Sequence, residues 1–210
     1  MTVGAASMSG MTEALSYREA SRELLRETVF RAAREKLEVR PWSEITMSDI
    51  AVGAGVSRQT LYNEFGNRDE FGLAFVMYEA GKFIDEVERS IRGRGQDPRG
   101  AVEVALERFL RLAAGDPVVA TLLSDDGTGG MLPFVTTQGL PVISWVSERI
   151  GAVIVETWPG ASEGDAKLIA ESMVRLAISY ITAPAGSIEE TAASVGRLFG
   201  PFIDRVLTAA

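Results

Sequence analysis

The sequence predicts an all-α fold of about nine helices. Apolar residues recur at intervals of three and four along most of its length, which is the period of an amphipathic helix. Ser, Thr and Asn repeatedly stand three residues ahead of an acidic side chain, an arrangement that satisfies the free N–H groups of a helix start. No run of β-branched residues alternates with polar ones between hairpin turns, so strands are not indicated.

Residues 1–15 are small and polar. They lack a basic start followed by an apolar run, so they are not a signal peptide and read as a flexible tail, with Met8 or Met11 as alternative starts. Ser16-Tyr-Arg-Glu19 has capping-box form, and Leu25, Val29, Ala32 and Ala33 continue a helix to about Val39. Arg40-Pro41 ends it. Thr46-Met-Ser-Asp49 opens a short helix to Val52, Gly53-Ala-Gly-Val56 breaks it, and Ser57 caps a third over Arg58–Phe65 that Gly66 stops. Asn67-Arg-Asp-Glu70 opens a long helix to about Ile91. Asp97-Pro98 and Asp116-Pro117 each set a capping Asp before a Pro at the first helical position, starting helices at 98–114 and 117–124. Residues 125–130 form an acidic Gly-rich turn without the residues of a phosphate loop or a calcium loop. Residues 131–157 are helical with an interruption near Gly139-Leu-Pro141. Ser162 and Ser187 then cap helices at 163–183 and 188–208. The expected division is a tail over 1–15, a first domain over 16–66 and a helical domain over 67–210.

Composition narrows the function. Hydrophobic residues make up 46% and charged residues 24%, an ordinary globular balance. No stretch approaches 18 uncharged apolar residues, so no membrane span is expected and a cytoplasmic location is. The sequence contains neither cysteine nor histidine, which removes disulfides, thiolate or imidazole metal sites and every triad that needs either residue. It carries no cofactor motif, and neither an enzyme nor a metal site is expected. The net charge of −8 means that any nucleic-acid contact must come from a local surface. Residues 1–70 carry 9 basic and 11 acidic side chains, so the first domain is less acidic than the rest without being basic.

Residues 46–65 carry the functional signal. Two short helices joined by a Gly-containing turn form a helix-turn-helix pattern. Ile50, Ala51 and Val56 are placed to pack inward, small Ala54 and Gly55 to let the helices approach, and Leu61 and Phe65 to anchor the second helix. Its opposite face then presents Arg58, Gln59, Tyr62 and Asn63, side chains able to reach base edges or phosphates. Ser57 and Thr60 sit at the helix start, where free N–H groups favour a phosphate.

The stretch from Asp49 to Phe71, with Ile50-Ala-Val-Gly-Ala-Gly-Val-Ser57, Thr60-Leu-Tyr62 and Phe65 in register, resembles the signature of TetR-family transcriptional repressors. The resemblance covers residues 16–72. It implies a three-helix DNA-binding domain and a larger helical domain that binds a small molecule and dimerises. Carried over by position, Ser57, Arg58, Gln59, Thr60, Tyr62 and Asn63 meet the major groove and its phosphates, Thr46 and Ser48 meet the backbone, and Arg68 takes the place of a phosphate-touching Lys. Gln59 replaces a common Gly. Glu64 stands where His or Tyr is frequent, and is open to pairing with Arg68, accepting from a cytosine, or repelling DNA.

In the second domain Tyr78, Phe83, Phe109, Leu112, Leu123, Met131, Phe134, Trp145 and Met173 fall on helices expected to surround a ligand pocket, with core packing as the alternative for each. With few charges there, a lipophilic effector is expected, a long acyl chain such as a fatty acid; Arg149 or Arg175 is a candidate carboxylate anchor, with surface placement the favoured alternative. Ile169, Met173 and Tyr180 in one helix and Val195, Phe199 and Phe202 in the next form seams at bundle spacing; part of each is expected to be buried within the monomer, and the resemblance assigns the seams to a homodimer interface, with Gly196 and Gly200 allowing close approach. The expectation is a homodimeric repressor that binds a near-palindromic DNA operator and is released by a lipophilic small molecule. The alternatives are a ligand-independent or activating regulator, or a helical lipid-binding protein.

Overall fold

The computed structural model describes residues 5–124 and 130–207. Among them are nine α-helices and no strands: α1 Ala5–Leu37, α2 Met47–Gly53, α3 Arg58–Phe65, α4 Arg68–Arg92, α5 Pro98–Ala114, α6 Pro117–Ser124, α7 Leu140–Thr157, α8 Glu163–Thr182 and α9 Ile188–Leu207. Short 3-10 turns at Trp42–Glu44 and Leu132–Phe134 connect α1 to α2 and precede α7. The acidic turn at 125–130 falls outside the described residues except for Gly130.

The start signals act as the side-chain chemistry requires. Thr46 and Asp49 form a reciprocal capping box at α2, and Asn67 and Glu70 another at α4. Ser57, Asp97 and Ser162 each accept from a backbone N–H three residues on, and Asp116 accepts from Val118. Ser187 and Glu190 exchange bonds at the head of α9. The first helix departs from expectation. It begins at Ala5, so Ser16–Glu19 lies inside a helix rather than at its start, and residues 5–15 are not a tail outside the helix. That stretch contains Ala, Met, Leu and Glu with no proline, so nothing stops the helix from propagating back past a local cap.

The core is continuous across both halves of the chain. Phe71 of α4 stands 5.1 Å from Phe65, 5.9 Å from Phe30, 6.0 Å from the Trp42 ring and 6.4 Å from Phe75, ring centre to ring centre. This aromatic cluster locks α1, α3 and the Trp42 turn onto the first turns of α4. Farther along, α4 packs on α5 and α7, α7 on α8, and α5 on α9. Two glycines are backbone devices. Gly55 in the turn between α2 and α3 has φ 67°, and Gly66 after α3 has φ 75° with ψ −140°, a region closed to side chains with a Cβ. A Cβ at Gly55 would meet nothing within 4 Å. The residue is therefore required by its dihedral, not by the close helix approach the sequence suggested.

Gly72 does have a close neighbour: an added Cβ would sit 2.7 Å from the Phe134 ring. Gly72→Ala is expected to lower stability by about 1–3 kcal/mol through overpacking. Denaturant melts of the two proteins check this, and an unchanged midpoint would mean that Phe134 swings aside freely.

Candidate nucleic-acid interface and ligand cavity

The two short helices present one inward and one outward face. Ile50, Ala51, Leu61 and Phe65 are buried. Arg58, Gln59, Tyr62 and Asn63 are exposed together on α3, and Tyr62 keeps 48% of its surface open. Gln59 donates to the Asn63 carbonyl oxygen at 2.7 Å, so the two amides form a pre-ordered pair. Ser57 and Thr60 are joined at 2.8 Å, and the Ser57 oxygen accepts from the Thr60 N–H, so their hydroxyls serve first as the cap of α3. Thr46 is exposed and Ser48 half-buried at the start of α2. The Asp49 carboxyl, bonded by the Thr46 hydroxyl and the Thr46 N–H, is held below the usual carboxylate range.

Two charged residues behave differently from expectation. Glu64 does not pair with Arg68. It accepts from Arg22 Nε at 2.8 Å and Arg26 Nη1 at 2.9 Å, both on α1, and its side chain is only 11% exposed. Position 64 lies one step from buried Phe65, on the flank of α3 that faces α1. Its charge is thus matched by two arginines and turned away from the outward face. Arg68 is half-buried. Its Nη2 donates to the Trp42 carbonyl at 2.5 Å and lies 3.4 Å from that of Ile45, and its guanidinium stacks 4.5 Å above the Trp42 ring. Its first role is to fasten the Trp42 turn to α4, so any phosphate contact would be an additional one.

The second half holds a partly open cavity of about 140 Å³ between α4, α5, α6, α7 and α8. Phe83, Phe109, Leu123 and Met173 line it as expected, beside Phe75, Val76, Val146, Ile150, Val174 and Ile178. Five expected residues do not. Tyr78 stacks on Phe30 at 4.6 Å, on the side of α4 that faces α1. Phe134 fills the space over Gly72, and Met131 is buried in the core away from the cavity. Trp145 rests by Gly81 with the Arg149 guanidinium 5.4 Å from its ring. Leu112, half-buried on α5, stands at the edge of the face that Ala105 and Phe109 present and does not reach the cavity. Neither proposed anchor reaches the cavity: Arg149 pairs with Asp85 and Glu88, and Arg175 with Glu171.

The cavity wall carries one charged residue that the sequence did not single out, Glu79. It is buried and bonded to Arg34 of α1 and, at 2.7 Å, to Lys82. Arg34 also reaches Asp116, the cap of α6, at 2.7 Å. Burial alone would lower the Arg34 pKa, but the bond to Asp116 and the charges of Glu79 and Asp116 outweigh it and raise the value. These partners lie 45 and 82 residues apart in sequence, beyond any local pattern.

Part of each seam of α8 and α9 is buried within the chain, as the core alternative has it. Ile169, Met173 and Val195 are buried within the protomer, facing α5, α7 and the cavity. Phe199 and Phe202 are half-buried against the core, and Tyr180 lines a second cleft. Gly196 and Gly200 face Glu103 and Arg99 of α5, so their missing side chains serve the α5–α9 contact. The outward positions are Leu168 on α8, 55% exposed, and Leu198 on α9, 69% exposed.

Breaking the charge cluster on the cavity wall should cost more than an exposed pair. Arg34→Met leaves buried Glu79 short of a partner and is expected to destabilise by about 2–4 kcal/mol. Lys82→Met, at a half-exposed ammonium, is expected to cost at most about 1 kcal/mol. Equal costs in urea melts would refute this ranking.

Comparisons with known proteins fall on both halves. Residues 29–74 match the family model of bacterial regulatory proteins of the tetR family, and residues 97–201 match that of the bacterial tetracyclin repressor C-terminal domain. The HTH-type transcriptional regulator AlkX of Mycobacterium tuberculosis is 36% identical over 191 residues, covering 91% of this chain and 90% of that protein. The crystal structure of a TetR-family repressor AlkX from Dietzia sp., implicated in biodegradation of n-alkanes, superposes with a TM-score of 0.77 at 33% identity, covering 87% of this chain and 96% of that one. A TetR-family transcriptional regulator from Pectobacterium atrosepticum shares the fold at a TM-score of 0.60 and 17% identity, covering 90% and 96% of the two chains.

Proposed function

The chain belongs to the TetR family of transcriptional regulators, and on that premise we propose that it is a homodimeric, ligand-responsive repressor whose effector is a lipophilic chain. The observation that carries this reading is one helix with two duties. α4 holds the helix-turn-helix at its first turns through Phe71 and walls the apolar cavity with Phe75, Val76 and Phe83. The DNA-binding unit is taken as residues 16–66, and the effector and dimer unit as 67–210.

In the proposed complex Arg58, Gln59, Tyr62 and Asn63 read the major groove, with Ser57, Thr60, Thr46, Ser48 and Arg68 near phosphates. The exposed apolar side chains of α8 and α9, Leu168 and Leu198 among them, meet their counterparts in a second copy. A dimer places two recognition helices about one DNA turn apart, hence a near-palindromic operator. The effector lowers DNA affinity by linkage: it binds the free form better than the DNA-bound form, and DNA weakens its binding by the same factor. A hydrocarbon suits the cavity, whose surface is almost wholly carbon. Support for a chain-like effector also comes from the Dietzia repressor implicated in n-alkane biodegradation. A fatty acid would place part of its acyl chain in the same space, with no cation in the cavity wall to hold its carboxylate.

Fluorescence anisotropy with DNA from upstream of the protein's own gene, against a scrambled duplex, tests DNA recognition. Tyr62→Ala is expected to cost about 1–3 kcal/mol of operator binding. The dimer should remain intact by size-exclusion chromatography. Unchanged affinity would count against this docking face. Val146→Phe places a ring in the cavity and is expected to leave operator binding within a few-fold while removing the response to alkyl effectors. Retained release by the same ligand would place the effector site elsewhere.

A further inference from the structure

A second cleft, of about 210 Å³, opens between α5, α6, the end of α8 and the turn that leads into α9. It shares Ala113, Val119, Leu123 and Ile181 with the inner cavity, so the two spaces are separated by no more than the thickness of these side chains. Their chemistry differs. The inner cavity offers almost no polar surface. The outer cleft is lined by two hydroxyl-bearing side chains, Tyr180 and Thr191, and by no charged residue. The Thr191 hydroxyl donates to the Ala185 carbonyl at 3.1 Å and keeps its lone pairs for another donor. The Tyr180 hydroxyl has no hydrogen-bond partner among the described residues.

We propose that this cleft is the outer half of the effector site, holding the uncharged oxygen of a single-chain alkyl compound, such as a primary alcohol, against Tyr180 while its chain passes Leu123 and Ile181 into the inner cavity. The proposal rests on the reading that the inner cavity binds a lipophilic effector. A longer chain needs more room than the first cavity gives, and the adjoining cleft supplies it. A cavity of about 150 Å³ accommodates one benzene, so an inner chamber of 140 Å³ holds roughly six carbons and a longer chain must leave it. The wall it crosses is made of side chains rather than backbone, and both Leu123 and Ile181 are half-buried with rotamers available. At the other end of the path an oxygen finds a donor in Tyr180. A carboxylate there would lose hydration with no cation in the lining to compensate, which favours a neutral head.

The test uses three probes on the full-length protein, with affinities taken from thermal shifts at known free concentration: benzene, n-octane and 1-octanol. Benzene fits the inner chamber alone, and the two octyl compounds differ by one oxygen. Ala185→Trp fills the outer cleft from an exposed turn. It is expected to weaken both octyl probes tenfold or more and to leave benzene unchanged. Tyr180→Phe removes one hydroxyl and keeps the ring. It is expected to weaken 1-octanol about three- to tenfold, the worth of one hydrogen bond, and to leave n-octane unchanged. Equal losses for benzene and the octyl probes in Ala185→Trp, loss for none of them, or an unchanged ratio of 1-octanol to n-octane in Tyr180→Phe would each overturn the proposal while leaving the inner site standing. Binding of none of the three by the unaltered protein would overturn the effector reading itself.

Discussion

The packing of Phe71 against Phe30, Phe65 and Trp42 is the constraint on which the rest of the molecule depends. α2 and α3 are 7 and 8 residues long, too short to be stable alone. They persist because caps satisfy their first N–H groups and because Leu61 and Phe65 bury themselves against α1 and α4. The same α4 then runs on for 25 residues into the second half, where its Phe75, Val76, Glu79 and Phe83 become cavity wall. A rotation or tilt of α4 cannot be absorbed between the two halves, because close-packed aromatic rings do not compress. A displacement of α4 at the cavity is therefore passed on to the seat of the recognition helix, whereas a change confined to another wall is not.

Charges reinforce this arrangement and also remove an obstacle. Arg34 reaches from α1 to Glu79 on the cavity wall and to Asp116 at the head of α6, and Thr121 of α6 donates to the Leu37 carbonyl at 3.0 Å. Two helices that meet at the cavity, α4 and α6, are thus tied to the first helix of the DNA-binding half by bonds that work only at one separation. Arg22 and Arg26 hold Glu64 in the same way on the other side of α1. The acidic residue that looked unfavourable for a DNA contact is neutralised in place. A chain of net charge −8 can then still present an outward α3 face that carries Arg58 and no carboxylate.

What was legible in the sequence follows the range of the interaction. Caps, turns and the two-helix motif are written within four to seven residues, and Thr46, Asn67, Ser57 and Gly66 act where their chemistry places them. The outward row Arg58, Gln59, Tyr62 and Asn63 follows from helical period alone. The start of α1 was not legible, because a cap signal inside a longer run of helix formers is overridden by propagation. Partners across the fold were not legible either. Glu64 could be seen to need a cation, but Arg68, four residues away, was the local candidate, and the true partners stand 38 and 42 residues earlier. The pocket and the seams of α8 and α9 share one difficulty. Period identifies an apolar face, yet it does not say whether that face meets a cavity, another helix of the same chain or a second copy. Met173 went to the cavity, Ile169 and Val195 to the core, and Gly196 and Gly200 to α5.

The distribution of polar groups around the cavities sets what kind of signal the molecule can register. A cavity with almost no polar surface, its one carboxylate already held by Arg34 and Lys82, gains affinity chiefly through the area it removes from water, about 25 cal/mol per Å². Such a site orders ligands by size and shape and is nearly blind to their chemistry. Selectivity for one alkyl compound over another must then come from where the chain leaves the chamber, because only there can a polar group be matched or left unmatched. On the proposed reading, the Tyr180 hydroxyl, which has no partner among the described residues, and the uncharged lining of the outer cleft put that discrimination at the turn between α8 and α9, two helices that also carry exposed leucines. If a second copy packs on those leucines, the groups that sense the head of the effector and the groups that fix the spacing of the two DNA-binding units lie on the same pair of helices. An effector then needs no long relay to change that spacing: its tail bears on α4 from within, and its head bears on the ends of the helices that hold the dimer together.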